Sequence, residues 1–198
     1  MSAKHKDVAG ILKTLRNGKT FFLAGHQRPD GDTLGSGLAL ALALNARGKK
    51  ATMYSGDPIP ENLEFLPGLK HLKVGKPPPA SARYDAAILM ECSTPERMGP
   101  LLDLKKQAKT VVSIDHHKSS DPYGHYNLLD DSKSSNAEQL FDVFRLLRWK
   151  ITPEMATCLW VGLTTDTGRF QYSNTTPSPL KVAAELLATG IPAPDINH

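Results

Sequence analysis

Apolar residues along the chain fall into short runs separated by amphipathic stretches. Thr20 to His26 (TFFLAGH), Lys49 to Ser55 (KKATMYS), Tyr84 to Met90 (YDAAILM) and Thr110 to Ile114 (TVVSI) are apolar without strict alternation. Such runs suit strands buried on both faces of a parallel sheet. Between them the spacing predicts helices at 8–17, at about 33–47 ending at Gly48, and over 101–108. Beyond the last run, a helix is predicted at 137–148 behind a cap in Ser134-Ser135-Asn136. Another runs from Pro153 to about Leu163, and a last one spans about 178–189, stopped by Gly190. Strands alternating with helices imply an α/β fold: a doubly wound, mainly parallel sheet with helices on both faces.

The longest aliphatic run, Leu38 to Leu44, is far short of the roughly 20 residues a membrane span needs. The first residues, MSAKHKD, lack the apolar stretch of a secretory signal. The two cysteines, Cys92 and Cys158, form no CxxC pair and no disulfide framework, so the reducing cytoplasm is the expected compartment. Hydrophobic residues make up 40% of the 198 and charged residues 22%, a composition able to build a core. The formal charge is +4, a mild basic balance that favours phosphate-bearing partners.

The densest chemistry is His26-Gln27-Arg28-Pro29-Asp30-Gly31-Asp32, directly after a strand and before a helix. Ligands of open α/β sheets bind at the carboxyl ends of strands. One imidazole and two carboxylates there suit a divalent ion such as Mn²⁺. A helix N-cap in a surface turn would use the same Asp. Asp115-His116-His117 follows the fourth strand. In an extended chain two consecutive histidines face opposite ways, so one can bind metal while its neighbour reaches substrate, with Asp115 fixing a ring tautomer. An exposed polar loop is the other reading. Glu91 ends the third strand as either a bridging ligand or the first polar residue of a loop. Asp166 precedes Gly168 as either a ligand or an Asx-turn residue.

Taken together, His26–Ser36 (HQRPDGDTLGS), Leu89-Met90-Glu91-Cys92, Asp115-His116-His117 and Thr165–Phe170 (TDTGRF) resemble the motifs of the DHH phosphoesterase superfamily, in its order. The resemblance covers most of residues 20–190. Thr165 to Thr175 is most similar to the branch of bifunctional oligoribonucleases and 3′,5′-bisphosphate nucleotide phosphatases. It implies a phosphoesterase that hydrolyses short oligonucleotides or 3′,5′-bisphosphorylated nucleotides with water activated by two divalent ions. The ions would be two Mn²⁺, or Mg²⁺ or Co²⁺ in their place. His26 and Asp30 would hold one ion and Asp32, His116 and Asp166 the other, with Glu91 between them. His117 would contact the substrate phosphate or protonate the leaving oxygen, with Asp115 behind it as the second catalytic residue, and Arg28 would bind substrate. The family usually carries Asp where this chain has Glu91, so either the strand register compensates for the extra methylene or the ion spacing differs.

The alternatives are a manganese-dependent inorganic pyrophosphatase, a cyclic-dinucleotide phosphodiesterase, and a catalytically weak domain that binds metal or nucleotide. A short oligonucleotide or nucleotide phosphate is the expected partner, with no membrane, and a homodimer is the oligomeric alternative. Residues 1–190 would form the catalytic domain and 191–198 the start of a linker or a frayed end; the family's C-terminal substrate-binding domain has no counterpart after Gly190. Arg97 and Arg169 are expected in structural ion pairs. Without Asp30, Asp32, Glu91, Asp115 and Asp166 the rest of the chain carries +9, from 24 basic and 15 acidic residues. An acidic pocket in a basic shell suits a metal-dependent enzyme for anions.

Overall fold

The computed structural model describes residues 3–196, with side chains from residue 7 onward. Six strands form one parallel sheet: β1 Thr20–Ala24, β2 Lys50–Ser55, β3 Leu72–Val74, β4 Tyr84–Met90, β5 Ala108–Asp115 and β6 Tyr126–Leu129. Their spatial order is β3-β2-β1-β4-β5-β6. The chain first builds outward from β1 through β2 to β3, then crosses back to place β4 on the other side of β1. That reversal between β1 and β4 opens a crevice at the carboxyl ends of these two strands. Leu23 pairs with Ile88 and Ile88 with Val112, so β1, β4 and β5 end nearly level.

The side chains of the central strands divide between two cores. Phe21, Leu23, Ala86, Ile88, Met90, Val112 and Ile114 enter the larger. Phe22, Ala24, Ala87 and Leu89 enter the smaller, as the two-residue period of a strand requires. The larger core packs under α1 Ala3–Asn17, α2 Gly31–Asn45, α4 Asn136–Leu147, α5 Pro153–Asp166 and α6 Pro177–Leu187. The smaller is roofed by the 3-10 turn Pro95–Met98, by Leu101, Leu102 and Tyr123, and by α3 Leu104–Gln107. The expected helices on both faces are present, but distributed unequally.

Thirteen of the fifteen residues of α2 are buried. A helix apolar on all sides belongs inside a protein, and α2 packs on β1, β2 and β4 as well as on α5. The two helices approach at glycines: a Cβ on Gly35 would fall 2.3 Å from the Cys158 carbonyl oxygen, closer than any side chain tolerates.

Several predicted bounds are corrected. β1 ends at Ala24 rather than His26, which frees His26 to turn out of the sheet. α1 begins at Ala3 rather than residue 8, and α2 begins at Gly31, with Asp30 as its N-cap, rather than near 33. The helix expected over 101–108 shrinks to Leu104–Gln107, because Asp103 caps it by accepting from Lys106 N–H and Ala108 already belongs to β5. Helix α5 runs to Asp166 instead of stopping at Leu163. β3 and β6 were not expected. The cap before α4 is Ser135, accepting from Glu138 N–H. Ile191 and Ala193 are buried in the larger core, and Ala193–Ile196 form a short helix, α7, against α5.

Candidate metal centre

The three central strands and two helix ends deliver their acids and imidazoles to one place. Beyond β1, the His26 ring lies with Nδ1 2.8 Å from the Gln27 carbonyl oxygen and Nε2 3.7 Å from Asp30 Oδ2. Asp30 Oδ1 meanwhile accepts from Thr33 N–H as the N-cap of α2. The two readings of this Asp, cap and ligand, therefore use different oxygens of one carboxylate. Asp32, two residues on, is fully buried. Its Oδ1 accepts from Ser36 Oγ and Ala137 N–H, and its Oδ2 accepts from Asn136 N–H at 2.6 Å. Those two amides belong to the first turn of α4, so a helix N-terminus is aimed at the carboxylate, where its dipole favours negative charge. Gly162 leaves room for this carboxylate, since a Cβ there would fall 2.5 Å from Asp32 Oδ1.

Glu91 follows β4 in the left-handed region, at φ +60, while its N–H still donates to the Ile114 carbonyl. A non-glycine residue held there is strained and characteristic of functional turns. The turn brings its carboxylate to the middle of the site. Donor atoms within 4.8 Å of one another form three groups: His26, Asp30 and Glu91; Asp32, Glu91, His116 and Asp166; and Glu91, His116 and His117. Glu91 is common to all three. The added methylene therefore does not remove this carboxylate from either donor set.

The consecutive histidines do not diverge as an extended chain would have them: both lie past the end of β5, and their rings pack against each other with centroids 4.5 Å apart. His116 Nε2 approaches Asp166 Oδ2 at 2.9 Å, Glu91 Oε1 at 3.4 Å and Asp32 Oδ2 at 4.0 Å. His117 Nδ1 lies 2.7 Å from Asp115 Oδ1, which also accepts from His117 N–H. Asp115 is buried while the His117 side chain is 43% exposed, so one edge of the ring is fixed and the other faces outward. Asp166 is the last residue of α5, not part of an Asx turn.

Charge is concentrated here under low solvation. Burial pushes the Asp32 carboxyl well above its ordinary range, and the nearby Glu91 and Asp166 push it the same way. Burial likewise raises Glu91, against the lowering effect of His116. For His116, burial favours the neutral ring, but Asp166 and Glu91 outweigh it and raise the imidazole to about 11. Burial alone would raise Asp30; His26 and Thr33 N–H instead hold it at about 2. The Asp115 hydrogen bond raises His117 from its ordinary value. Cys92, next to Glu91, is pushed up to about 12 by burial and belongs to none of the three donor groups.

The donor set fits a divalent cation. Glu91 Oε1 and His116 Nε2 are buried with no properly oriented hydrogen-bond partner, although carboxylates and imidazole stand within contact distance. Buried polar atoms are normally satisfied, and a shared cation would satisfy both. Oxygen donors with two or three imidazoles suit Mn²⁺ and ions of similar hardness.

Residues brought together are thus His26, Asp30, Asp32, Glu91, His116 and Asp166, with His117 and Asp115 alongside. Arg28 stands in the left-handed region, at φ +54, with its N–H donating to Asp57; no side-chain contact joins it to the cluster among the described residues. Arg97 and Arg169 make no ion pair among the described residues. Arg97 instead lies near enough to His26 to oppose a positive charge on its ring. Sequence reasoning missed the α4 amides on Asp32, whose signal was the Ser-Ser-Asn cap, and Ser36, one helical turn beyond Asp32.

Parallel strands that converge acids and imidazoles at a switch point define a class: an α/β protein with a metal-type centre at its strand ends. Residues 20–163 match the family model described as DHH family, N-terminal domain, and the chain belongs to the DHH family. A bifunctional oligoribonuclease and PAP phosphatase of Thermus thermophilus is 37% identical over 190 residues, covering 95% of this chain and 55% of that protein. A protein of the same description from Bacillus subtilis is 29% identical over 181 residues, covering 89% and 55%. The chain thus spans about half the length of these curated relatives. The crystal structure of an exopolyphosphatase-related protein from Bacteroides fragilis shares the fold, with TM-score 0.88 and 22% identity over 97% of this chain and 59% of that one. No helix among the described residues is long and apolar enough to cross a membrane.

Proposed function

We propose that residues 1–190 form the catalytic unit of a divalent-metal-dependent phosphoesterase acting on short oligonucleotides or 3′,5′-bisphosphorylated nucleotides in the cytoplasm. The observation that carries this reading is Glu91, whose carboxylate is shared by the His26–Asp30 group and the Asp32–His116–Asp166 group. His26, Asp30 and Glu91 would hold one ion, and Asp32, Glu91, His116 and Asp166 a second; Mn²⁺ is the ion we assign. Bound divalent ions supply Lewis acidity and make a water nucleophilic at neutral pH. The names of the relatives support the substrate class.

The remaining chemistry falls to the chain's own side chains. Asp115 holds the Nδ1 edge of His117 and leaves Nε2 free to face a phosphoryl group. With its affinity for protons raised, His117 donates one from Nε2 to the leaving oxygen as the bond from phosphorus to that oxygen breaks; the water oxygen joins phosphorus and sheds one proton to solvent, from which His117 is reprotonated. Asp115 stabilises the cationic ring before that transfer. Arg28, beside the cluster in sequence, supplies positive charge to a non-bridging phosphate oxygen.

Turnover of a dinucleotide, a bisphosphorylated nucleotide and inorganic pyrophosphate, each with and without Mn²⁺, tests the reading. Wild type should hydrolyse the first two, and Asp32→Ala and His116→Ala should each lose at least about 10²-fold, as misplacing catalytic groups does. Undiminished Mn²⁺-dependent hydrolysis in either variant would overturn the assignment; pyrophosphate as the sole substrate would move it to a pyrophosphatase.

A further inference from the structure

A cavity of about 570 Å³ opens between the turn around residues 61–65 and the end of α5, the helix whose last residue is Asp166. Its size falls within the range of small-ligand pockets. Thr165 belongs to its wall and is the neighbour of Asp166, whose carboxylate faces His116. On its other side Thr165 Oγ1 lies against Gly31, the first residue of α2. Thr165 thus links the cavity wall to Asp166 of the donor cluster, the next residue along α5.

Two of the exposed large hydrophobic side chains stand on this cavity: Phe65, 50% exposed, and Tyr172, 61% exposed. Tyr172 is exposed but not loose. Its ring lies against Gly168, where a Cβ would come within 2.5 Å of the ring carbons, and its N–H donates to the Thr167 carbonyl. Gly168, Arg169 and Phe170 are three successive residues in the left-handed region, at φ +54, +56 and +65. That tight turn directs Arg169 to the cavity and carries the chain to Tyr172. Arg169 has no ion-pair partner among the described residues and contributes a positive charge to a wall that also holds the carboxylate of Asp195. Gln171 and Asn62 add amides able to donate to and accept from the edge of a heterocyclic base.

We infer that this cavity is a nucleobase subsite. A base stacks on Tyr172 with Phe65 closing the opposite rim, its edge meets the amides of Gln171 and Asn62, and Arg169 neutralises a phosphate between base and metal centre. An exposed aromatic ring held in place by its own backbone is a stacking platform, and its place beside the cluster sets the class of ligand: a phosphate ester that carries a base. The inference rests on the phosphoesterase reading, which places the ester phosphate at the metal centre, and adds the part of the substrate that chooses among phosphates.

Calorimetric titration of the Mn²⁺-loaded chain with adenosine 5′-monophosphate and with ribose 5-phosphate, which has the same phosphate and sugar without the base, tests it. Wild type should bind the nucleotide on the order of 10-fold more tightly, the size of one stacked base. Tyr172→Ala should bring the two affinities within about twofold of each other, while Tyr172→Phe, which keeps the ring, should preserve the preference. Phe65→Ala should reduce it in part. Equal affinities in wild type, or an unchanged preference in both alanine variants, would overturn the subsite. If both ligands still require Mn²⁺ and lose affinity in Asp32→Ala, such a result spares the phosphoesterase reading. If neither ligand depends on Mn²⁺ or on Asp32, that reading fails and takes the subsite with it.

Discussion

Asp30 divides its oxygens between holding the fold and facing the site, and Asp32 uses both to hold the fold while one of them also faces the site. Asp30 caps α2 with one oxygen and faces His26 with the other. Asp32 anchors the start of α4 through two amides while Oδ2 also faces His116. Their presence was legible, because polar residues crowded directly after an apolar strand stand out against the pattern. Their partners were not. Asn136 and Gly162 reach Asp32 from more than a hundred positions away, and no local spacing encodes that meeting. Nor was the Glu91 conformation readable, since a left-handed turn at a non-glycine residue is imposed by its surroundings. The resulting crowd of carboxylates destabilises the metal-free fold, as the raised Asp32 and Glu91 show. Glu91→Gln should therefore raise the thermal midpoint of metal-free protein by about 2–4 °C, the equivalent of roughly 1 kcal/mol in a chain of this size. In wild type, Mn²⁺ at about a hundred times its dissociation constant should add about 2.7 kcal/mol. Most of that gain should vanish in Glu91→Gln. Calorimetry with and without Mn²⁺ reads both, and a full Mn²⁺ response in the variant would refute the shared role of this carboxylate.

The central elements were plain in the sequence and the edges were not. β1, β4 and β5 carry continuous apolar runs because both of their faces are covered. β3 and β6 are three and four residues long at the two edges of the sheet and carry no fully buried residue; their alternations, Leu72-Lys73-Val74 and Tyr126-Asn127-Leu128, are too short to stand out. Leu101 and Leu102 have helical neighbours in sequence, yet they are spent on the small core as a turn. The beginnings of the strands are tied by one acid. Asp85, at the start of β4, accepts from Lys19 N–H and Thr20 N–H of β1 and pairs with Lys109 of β5 at 2.8 Å. The Lys109 ammonium and the Lys19 amide hold its carboxyl far below the usual range. A depressed folded pKa stabilises the protein above the unfolded value of about 4 and loses that contribution as pH falls through the folded value. Asp85→Asn should thus be less stable than wild type at pH 6, and the gap should narrow steadily below about pH 4. Urea unfolding across that range measures it; a gap independent of pH would show that the charge of Asp85 contributes nothing.

At the scale of the molecule, the sheet has a thick side and a thin side. The helices that carry Asp30, Asp32 and Asp166 lie on the thick side, while Arg97 reaches His26 from the turn on the thin side. The net charge of +4 conceals this arrangement: five of the twenty acids, Asp30, Asp32, Glu91, Asp115 and Asp166, meet at the carboxyl ends of the strands, and the rest of the chain is net basic. The alternation of strands and helices predicted the sheet, but not the second helical layer, since α5 covers α2 instead of the strands and nothing local distinguishes the two roles. That layer has a kinetic consequence. A helix roofed by another helix and floored by a sheet has no solvent face along which to fray, so its amides open only when the whole structure opens. In native-state hydrogen exchange, the amides of residues 38–44 in α2 should therefore match those of β1 and exchange with the free energy of global unfolding. Faster exchange in α2 than in β1 would contradict this. Asp32, buried in the first turn of that helix, is thereby held in place for as long as the folded state itself lasts.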